Sequence, residues 1–275
     1  MIPLPQLLKV VEKKDNWASF EIEGLYPGYG VTLGNALRRV LLSSLEGAAL
    51  VRVKIKGVSH EFSTIQGVLE DVITICLNLK KLNFKIHSGE AQKAELKTKG
   101  QKEVTGKDLK LPSQLELLNP EQHIATLTDK KAQLEIELFI QKGIGYESKE
   151  MRDKEKLQIG EISLDAAYTP IVKVSFNVEN MRVGDRTDFD RLILGIETDG
   201  SIEPEEALIN ATDILIDHFS IITKERDKLV KGKTEKKAAK KKPAEKKSNS
   251  KSTKQKSTKQ KLTKKKLTKK KTKKA

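Results

Sequence analysis

The chain has 275 residues, with 53 lysines and arginines against 38 aspartates and glutamates, and a formal net charge of +15. That charge is uneven: from Lys231 onward there are 22 lysines against only Glu235 and Glu245, so residues 231–275 carry +20 and residues 1–230 carry −5. A basic nucleic-acid-binding body is thereby excluded, the single cysteine excludes an internal disulfide or a cysteine-built zinc site, and no apolar run reaches the roughly 18 residues of a membrane-spanning helix.

Residues 17–26 alternate in part (Trp17, Phe20, Ile22, Leu25) and predict a strand that feeds the glycine loop Gly28-Tyr29-Gly30. A helix follows, capped by Thr32 and stopping at Gly47. On its broad face fall Leu33, Ala36, Leu37, Val40 and Leu41, while Leu42 lies roughly opposite, flanked by Arg38 and Arg39. A helix with a core stripe and a second, arginine-bordered leucine surface suits a wedge between its own domain and a partner. Residues 49–56 then alternate, with Val51, Val53 and Ile55 against Arg52, Lys54 and Lys56, as a half-buried strand does. A second helix is expected from about Ile65 to Lys81, burying Leu69, Val72, Ile73, Cys76 and Leu77, with Cys76 as a small core residue.

From Leu82 to Val178 the pattern is mainly of short strands, plainest at Phe84–Ile86, Ala94–Leu96 and Leu134–Ile140. A charged loop is expected from Gly143 to Lys156, and further strands at Ile171–Val178 and Leu192–Glu197. The last helix is predicted over Pro204–Lys224, with Glu203, Glu205 and Glu206 suiting its positive N-terminal end. Its stripe is Leu208, Ala211, Leu215, Phe219 and Ile222, and Ile209 and Ile216 lie off it. Surplus apolar surface on a helix near each end of the body is what a symmetric dimer could bury. Beyond Val230 aromatic residues are absent and a five-residue lysine repeat begins at Lys251, so 231–275 reads as a disordered cationic arm.

No catalytic constellation emerges. Gly100–Asp108 misses the phosphate-loop spacing by one residue, and Gly28-Tyr29-Gly30 lacks the dinucleotide-binding spacing. His60, His87, His123 and His218 are scattered. The carboxylates Asp185, Asp188 and Asp190 could suggest a two-metal site, but Arg186 and Arg191 among them favour a salt-bridged turn entering a strand. The expectation is no catalytic residue, metal or cofactor in this chain.

The run Gly28–Ser44 resembles the signature helix of the alpha subunit of bacterial-type DNA-directed RNA polymerase. The resemblance continues in order through Gly57–Thr64, Glu70-Asp71-Val72, Leu77-Asn78-Leu79-Lys80, Tyr168-Thr169-Pro170, Asn177-Val178-Glu179, Arg186-Thr187-Asp188 and Glu197–Ala207, over residues from about 20 to 222. It implies an α+β fold: a discontinuous dimerisation domain (1–49 and 176–230), interrupted by a mainly β insertion domain (50–175) that touches the large subunits, then the lysine-rich tail (231–275). It further implies a homodimer that scaffolds the beta and beta-prime subunits, with omega and sigma in the full assembly and catalysis left to the large subunits. By resemblance Arg39, with Arg38 beside it, matches the position that recruits beta, and Lys80, Arg186 and Asp188 fall in large-subunit contact regions. Leu37, Leu41 and Phe219 are the expected dimer core.

The chain departs from the family after Val230, where nothing resembles the usual helical C-terminal DNA-reading domain. The lysine arm offers sequence-blind phosphate attraction instead, or serves only as a solvated tail. The rival reading is a DNA-compacting, chromatin-like basic protein, against which the acidic body counts. The cysteine usage and the N-terminal sequence fit an unexported protein of a reducing compartment, cytoplasmic and nucleoid-associated, with a plastid stroma left open.

Overall fold

A computed structural model describes residues 2–152 and 160–238, with 225–238 by backbone alone. In chain order the elements are β1 (Lys9–Lys14), β2 (Trp17–Leu25), α1 (Tyr29–Ser43), β3 (Glu46–Ile55), α2 (Val72–Leu79), β4 (Phe84–Ile86), β5 (Gln92–Lys99) and β6 (Lys102–Thr105). After a 3-10 turn come β7 (Leu109–Lys110), β8 (Leu115–Leu117), β9 (His123–Leu127), β10 (Gln133–Ile144), β11 (Tyr146–Glu147) and the single turn α3 (Lys149–Arg152). The chain closes with β12 (Glu161–Ser163), β13 (Ala166–Ala167), β14 (Ile171–Val183), β15 (Arg186–Thr198) and α4 (Pro204–Ala238).

Two antiparallel sheets organise these elements. The first has the order β1-β2-β15-β14, which pairs the strand of residues 17–25 with the strand of residues 186–198. Its register sets Phe20 against Leu194 and Ala18 against Ile196, with Phe176 and Val174 across the other side of β15. Because side chains alternate on a strand, these residues share one face, and α1 and the start of α4 cover it: Leu37, Leu41, Ala207, Leu208 and Ala211 complete that core. The second sheet has the order β12-β3-β10-β5-β7, with Val53, Leu138 and Ala94 aligned across three strands. Its larger core adds Val72, Ile75, Cys76 and Leu79 from α2. The fold is thus strand-rich α+β. The chain divides into a unit from Met1 to Ile222 and a second from Thr223 to Ala275, whose described part is the continuation of α4.

Several sequence expectations are corrected. Helix α1 is not capped by Thr32, whose hydroxyl instead donates to the Gly28 carbonyl oxygen at 3.0 Å from inside the helix. Gly28 is the N-cap, with φ of 84° in the left-handed region that glycine tolerates. Nor does the helix reach Gly47: it ends at Ser43, and Gly47 lies in β3, where a Cβ would collide with the Tyr168 carbonyl oxygen. Helix α2 begins at Val72 rather than Ile65, because Asp71 accepts the Thr74 amide at 2.9 Å and terminates the preceding loop. Leu69, Ile73 and Leu77, expected in the core, are exposed. The charged loop after Gly143 contains β11 and α3, and residues 153–156 of it lie outside the described residues. The strand β1 went unforeseen. Helix α4 runs on to Ala238, past its expected end at Lys224, through lysine, glutamate and alanine that favour helix. The remainder of the expected disordered tail, 239–275, lies outside the described residues.

The packing of the second sheet generates a contrast. Leu138 is fully buried among three strands, so Leu138→Ala is expected to cost about 2–5 kcal/mol in urea unfolding. Leu77→Ala, on the exposed flank of α2, is expected to stay within about 0.5 kcal/mol.

Candidate partner-binding site

Helix α1 has two unlike sides. Beneath, Gly30, Gly34, Leu37 and Leu41 follow one another at helical spacing and are buried. Gly34 allows the close approach: a Cβ there would come within 2.7 Å of the Phe176 ring and 3.0 Å of Leu192. Above, Val31, Asn35, Arg38, Arg39 and Leu42 are exposed. The sequence-derived arginine-bordered leucine surface is therefore a real outer face. Leu37 and Leu41, expected in a dimer core, pack in the core beneath α1, at 7% and 0% exposure. Phe219 remains 61% exposed on α4, near Ile216 and Ile222, which are exposed as well.

The N-terminus of α1 is held from a distance. Asp190 on β15 is buried, and its Oδ2 accepts the backbone amides of both Gly28 and Gly30 at 2.9 Å. These are two of the donors a helix start leaves without intrahelical partners, and an anion there meets the positive end of the helix dipole. So of the three carboxylates singled out by sequence, Asp190 is a helix cap. Asp188 is engaged differently: Arg186 Nε donates to its Oδ1 at 3.0 Å and Nη2 to its Oδ2 at 2.6 Å. This bidentate pair holds the Asp188 carboxyl below the usual carboxylate range. The Arg186 guanidinium also lies 5.5 Å from the Tyr26 ring centre and 5.1 Å from that of Phe189, just ahead of α1.

Lys80 is the C-cap of α2, the helix that packs on the other core. It is exposed at the C-terminal end of α2 and borders an open cleft of about 220 Å³ with Ile73, Leu77, Lys149 and Asp165. The Lys149 amide donates to Asp165 Oδ1 at 2.9 Å, and that bond, aided by the Lys80 and Lys149 charges, keeps the Asp165 carboxyl below its ordinary value. Cys76 forms part of the cleft wall, where burial, then the nearby Glu61 and Asp71 charges, push its thiol up to about 11. It is a poor nucleophile at neutral pH. The expected contact residues therefore do not converge. Arg38 and Arg39 occupy one surface, Arg186 and Asp188 the region before α1, and Lys80 the end of α2.

Two further arrangements escaped sequence reasoning. The loop ahead of α2 is fastened to β9 by Glu70, whose Oε2 accepts the Thr126 amide at 2.6 Å and whose Oε1 lies 3.0 Å from both the Thr126 hydroxyl and His123 Nε2. The other His123 nitrogen lies 3.0 Å from Glu103. Burial disfavours the charged Glu70, but the Thr126 amide and His123 outweigh it and its carboxyl sits below the usual range. On the open face of the first sheet, Arg191 reaches Glu21 at 2.8 Å and Glu23 at 3.2 Å. Partners so distant in sequence leave no local signal. Among the described residues no group of three or more His, Cys, Asp or Glu is arranged to hold a metal, and no helix is long and apolar enough to cross a membrane.

Comparison with known proteins places this architecture in a class. Residues 53–169 match the family described as the RNA polymerase Rpb3/RpoA insert domain. Two relatives are the DNA-directed RNA polymerase subunit alpha of Roseiflexus castenholzii and that of Herpetosiphon aurantiacus, each 46% identical over 221 residues, or 80% of this chain. The matched segment covers 68% of the first relative and 66% of the second. The chain belongs to the family of DNA-directed RNA polymerase alpha subunits.

The Glu70 anchor carries a pH prediction. A carboxylate whose folded value is lowered contributes stability above its unfolded value, about 4.3, and loses it as the pH falls through the lower folded value. Glu70→Gln is therefore expected to flatten the acid limb of the stability curve, read from urea midpoints between about pH 7 and pH 3.

Proposed function

We propose that this chain is a non-catalytic assembly subunit, two copies of which pair and then bind the beta and beta-prime subunits of an RNA polymerase. The observation that carries this reading is the outer face of α1, where two arginines border an exposed leucine on a helix already packed beneath. Arginine suits such a surface because its guanidinium is weakly hydrated and pairs bidentately. Arg38 and Arg39 contact beta in one copy; Lys80 and the Arg186–Asp188 pair serve the large subunits, beta-prime among them.

Pairing uses α4, with Phe219 in the contact and Ile216 and Ile222 around it. Removal of such surface from water at about 25 cal/mol per Å² favours association. In domain terms, 1–49 with 176–230 form the dimerising part and 50–175 the insertion. Support comes from two cores, one drawing on 18–45 and 171–211, the other on 50–164. Omega and sigma join in the full assembly, in the cytoplasm near the nucleoid. Catalysis lies in the large subunits, and the lysine-rich tail adds nonspecific attraction to nucleic-acid phosphates. The acidic balance of residues 1–230 disfavours the DNA-compacting alternative.

Three outcomes test this reading with the full chain. Arg39→Ala is expected to leave the dimer intact and weaken beta capture about tenfold in co-purification; undiminished capture would remove the assignment. Phe219→Asp is expected to sediment as a monomer at concentrations where the parent chain is a dimer. Removal of 239–275 is expected to preserve assembly while making DNA retention less dependent on salt; an unchanged salt dependence would reject a role for the tail.

A further inference from the structure

We infer that Asp190 is a positioning residue for the partner-binding face of α1: it sets where Arg38 and Arg39 stand, through the helix and without touching a partner. This inference rests on the reading that those arginines contact a large subunit. The geometry behind it has three parts. The Asp190 carboxylate is buried and accepts two amides of the helix start, Gly28 and Gly30, through a single oxygen at 2.9 Å each. Two bonds to one oxygen hold the first turn of the helix against β15. Next, the helix has no side chain between itself and that strand at this end. A Cβ on Gly30 would lie 2.7 Å from Val178 Cγ1 and 3.0 Å from Asp190 Oδ2, so the contact is backbone on carboxylate. Lastly, Asp190 is itself held from both sides in sequence. Phe189 is buried and meets Tyr26 edge-on with ring centres 6.2 Å apart, and Arg191 is fastened on the opposite face to Glu21 and Glu23. The strand cannot shift without breaking one of these.

The consequence follows from the rigidity of a helix. Arg39 stands nine residues beyond Gly30, about 14 Å along the axis at 1.5 Å per residue. A small rotation at the N-terminus moves both guanidinium groups sideways together, and an arginine contact tolerates little misplacement because its hydrogen bonds are directional. Ser43 and Ser44 end the helix with bonds internal to it or to each other, so the only side-chain hydrogen bonds from outside α1 to its backbone start, among the described residues, come from Asp190.

The test uses the full chain and its complex with beta. Asp190→Ala removes the acceptor of both amides; Asp190→Asn keeps a carbonyl oxygen that can accept both amides and removes the charge. Hydrogen exchange of the α1 amides reads the lock itself. Faster exchange in Asp190→Ala, largely restored in Asp190→Asn, is expected, and unchanged exchange would overturn the lock. Beta affinity, measured well below the unfolding temperature of each variant, reads the consequence. Asp190→Ala is expected to weaken binding about tenfold, Asp190→Asn less than about threefold. In an Arg39→Ala background, Asp190→Ala is expected to add little, because the residue it positions is gone. Fully additive losses would mean that Asp190 acts on something other than Arg39 and would overturn the positioning role. If Arg39→Ala alone leaves beta affinity unchanged, the contact reading fails, and the exchange result then stands or falls separately as a statement about the fold. Should Asp190→Ala not fold, Gly30→Ala, which crowds the same contact, replaces it with the same readouts.

Discussion

One carboxylate ties two distant segments of the sequence together. Asp190 comes from a strand near the close of the body, and the helix it caps comes near its start, about 160 residues earlier. Neither element could take its place alone. β15 is an inner strand of its sheet, paired with β2 on one side and β14 on the other, so it reports the position of the sheet to the helix. The result is a helix pressed flat against a rigid support, with glycine rather than bulky side chains beneath its first turns, and hence with its entire upper face free.

That freedom explains the division of labour along α1. Leu37 and Leu41 go down into the core with Phe20, Leu194 and Ile196, while Arg38, Arg39 and Leu42 face outward. A helix supported only by bulky side chains would need a wider apolar stripe and would leave less of its circumference for a partner. The second core has a comparable logic. Short α2 buries Val72, Ile75, Cys76 and Leu79 and exposes Ile73 and Leu77, and its preceding loop is held down by Glu70 instead of by a longer helix. In both places a carboxylate accepts backbone amides where ordinary local structure runs out.

Much of this was legible in the sequence. The strand over residues 49–56, the strand at Leu134–Ile140, the two-sided character of α1 and the start of α4 at Pro204 all follow from periodicity and capping, because each is decided by neighbours within a few residues. What failed depended on distant partners. Thr32 looked like a cap because Asp190 is invisible from its position in the chain. Gly47 looked like a helix stop because the approach of the Tyr168 backbone could not be foreseen. Leu69, Ile73 and Leu77 fitted an apolar helical pattern, yet Asp71 ends the loop and starts the helix seven residues late. Of the candidate contact residues, the exposure of Arg38, Arg39, Lys80, Arg186 and Asp188 agrees with a surface role. Leu37 and Leu41 carry the apolar stripe that the pattern showed, and they pack beneath α1.

The central claim is that the outer face of α1 is the part of this helix reserved for another chain. Side-chain footprinting of the full chain, alone and with the beta subunit, tests it most directly. The account predicts that Arg38, Arg39 and Leu42 react in the free chain and become protected in the complex, with Leu37 and Leu41 silent in both. Continued reactivity along that face in the complex, with protection confined to the open face of the β1-β2-β15-β14 sheet, would contradict it.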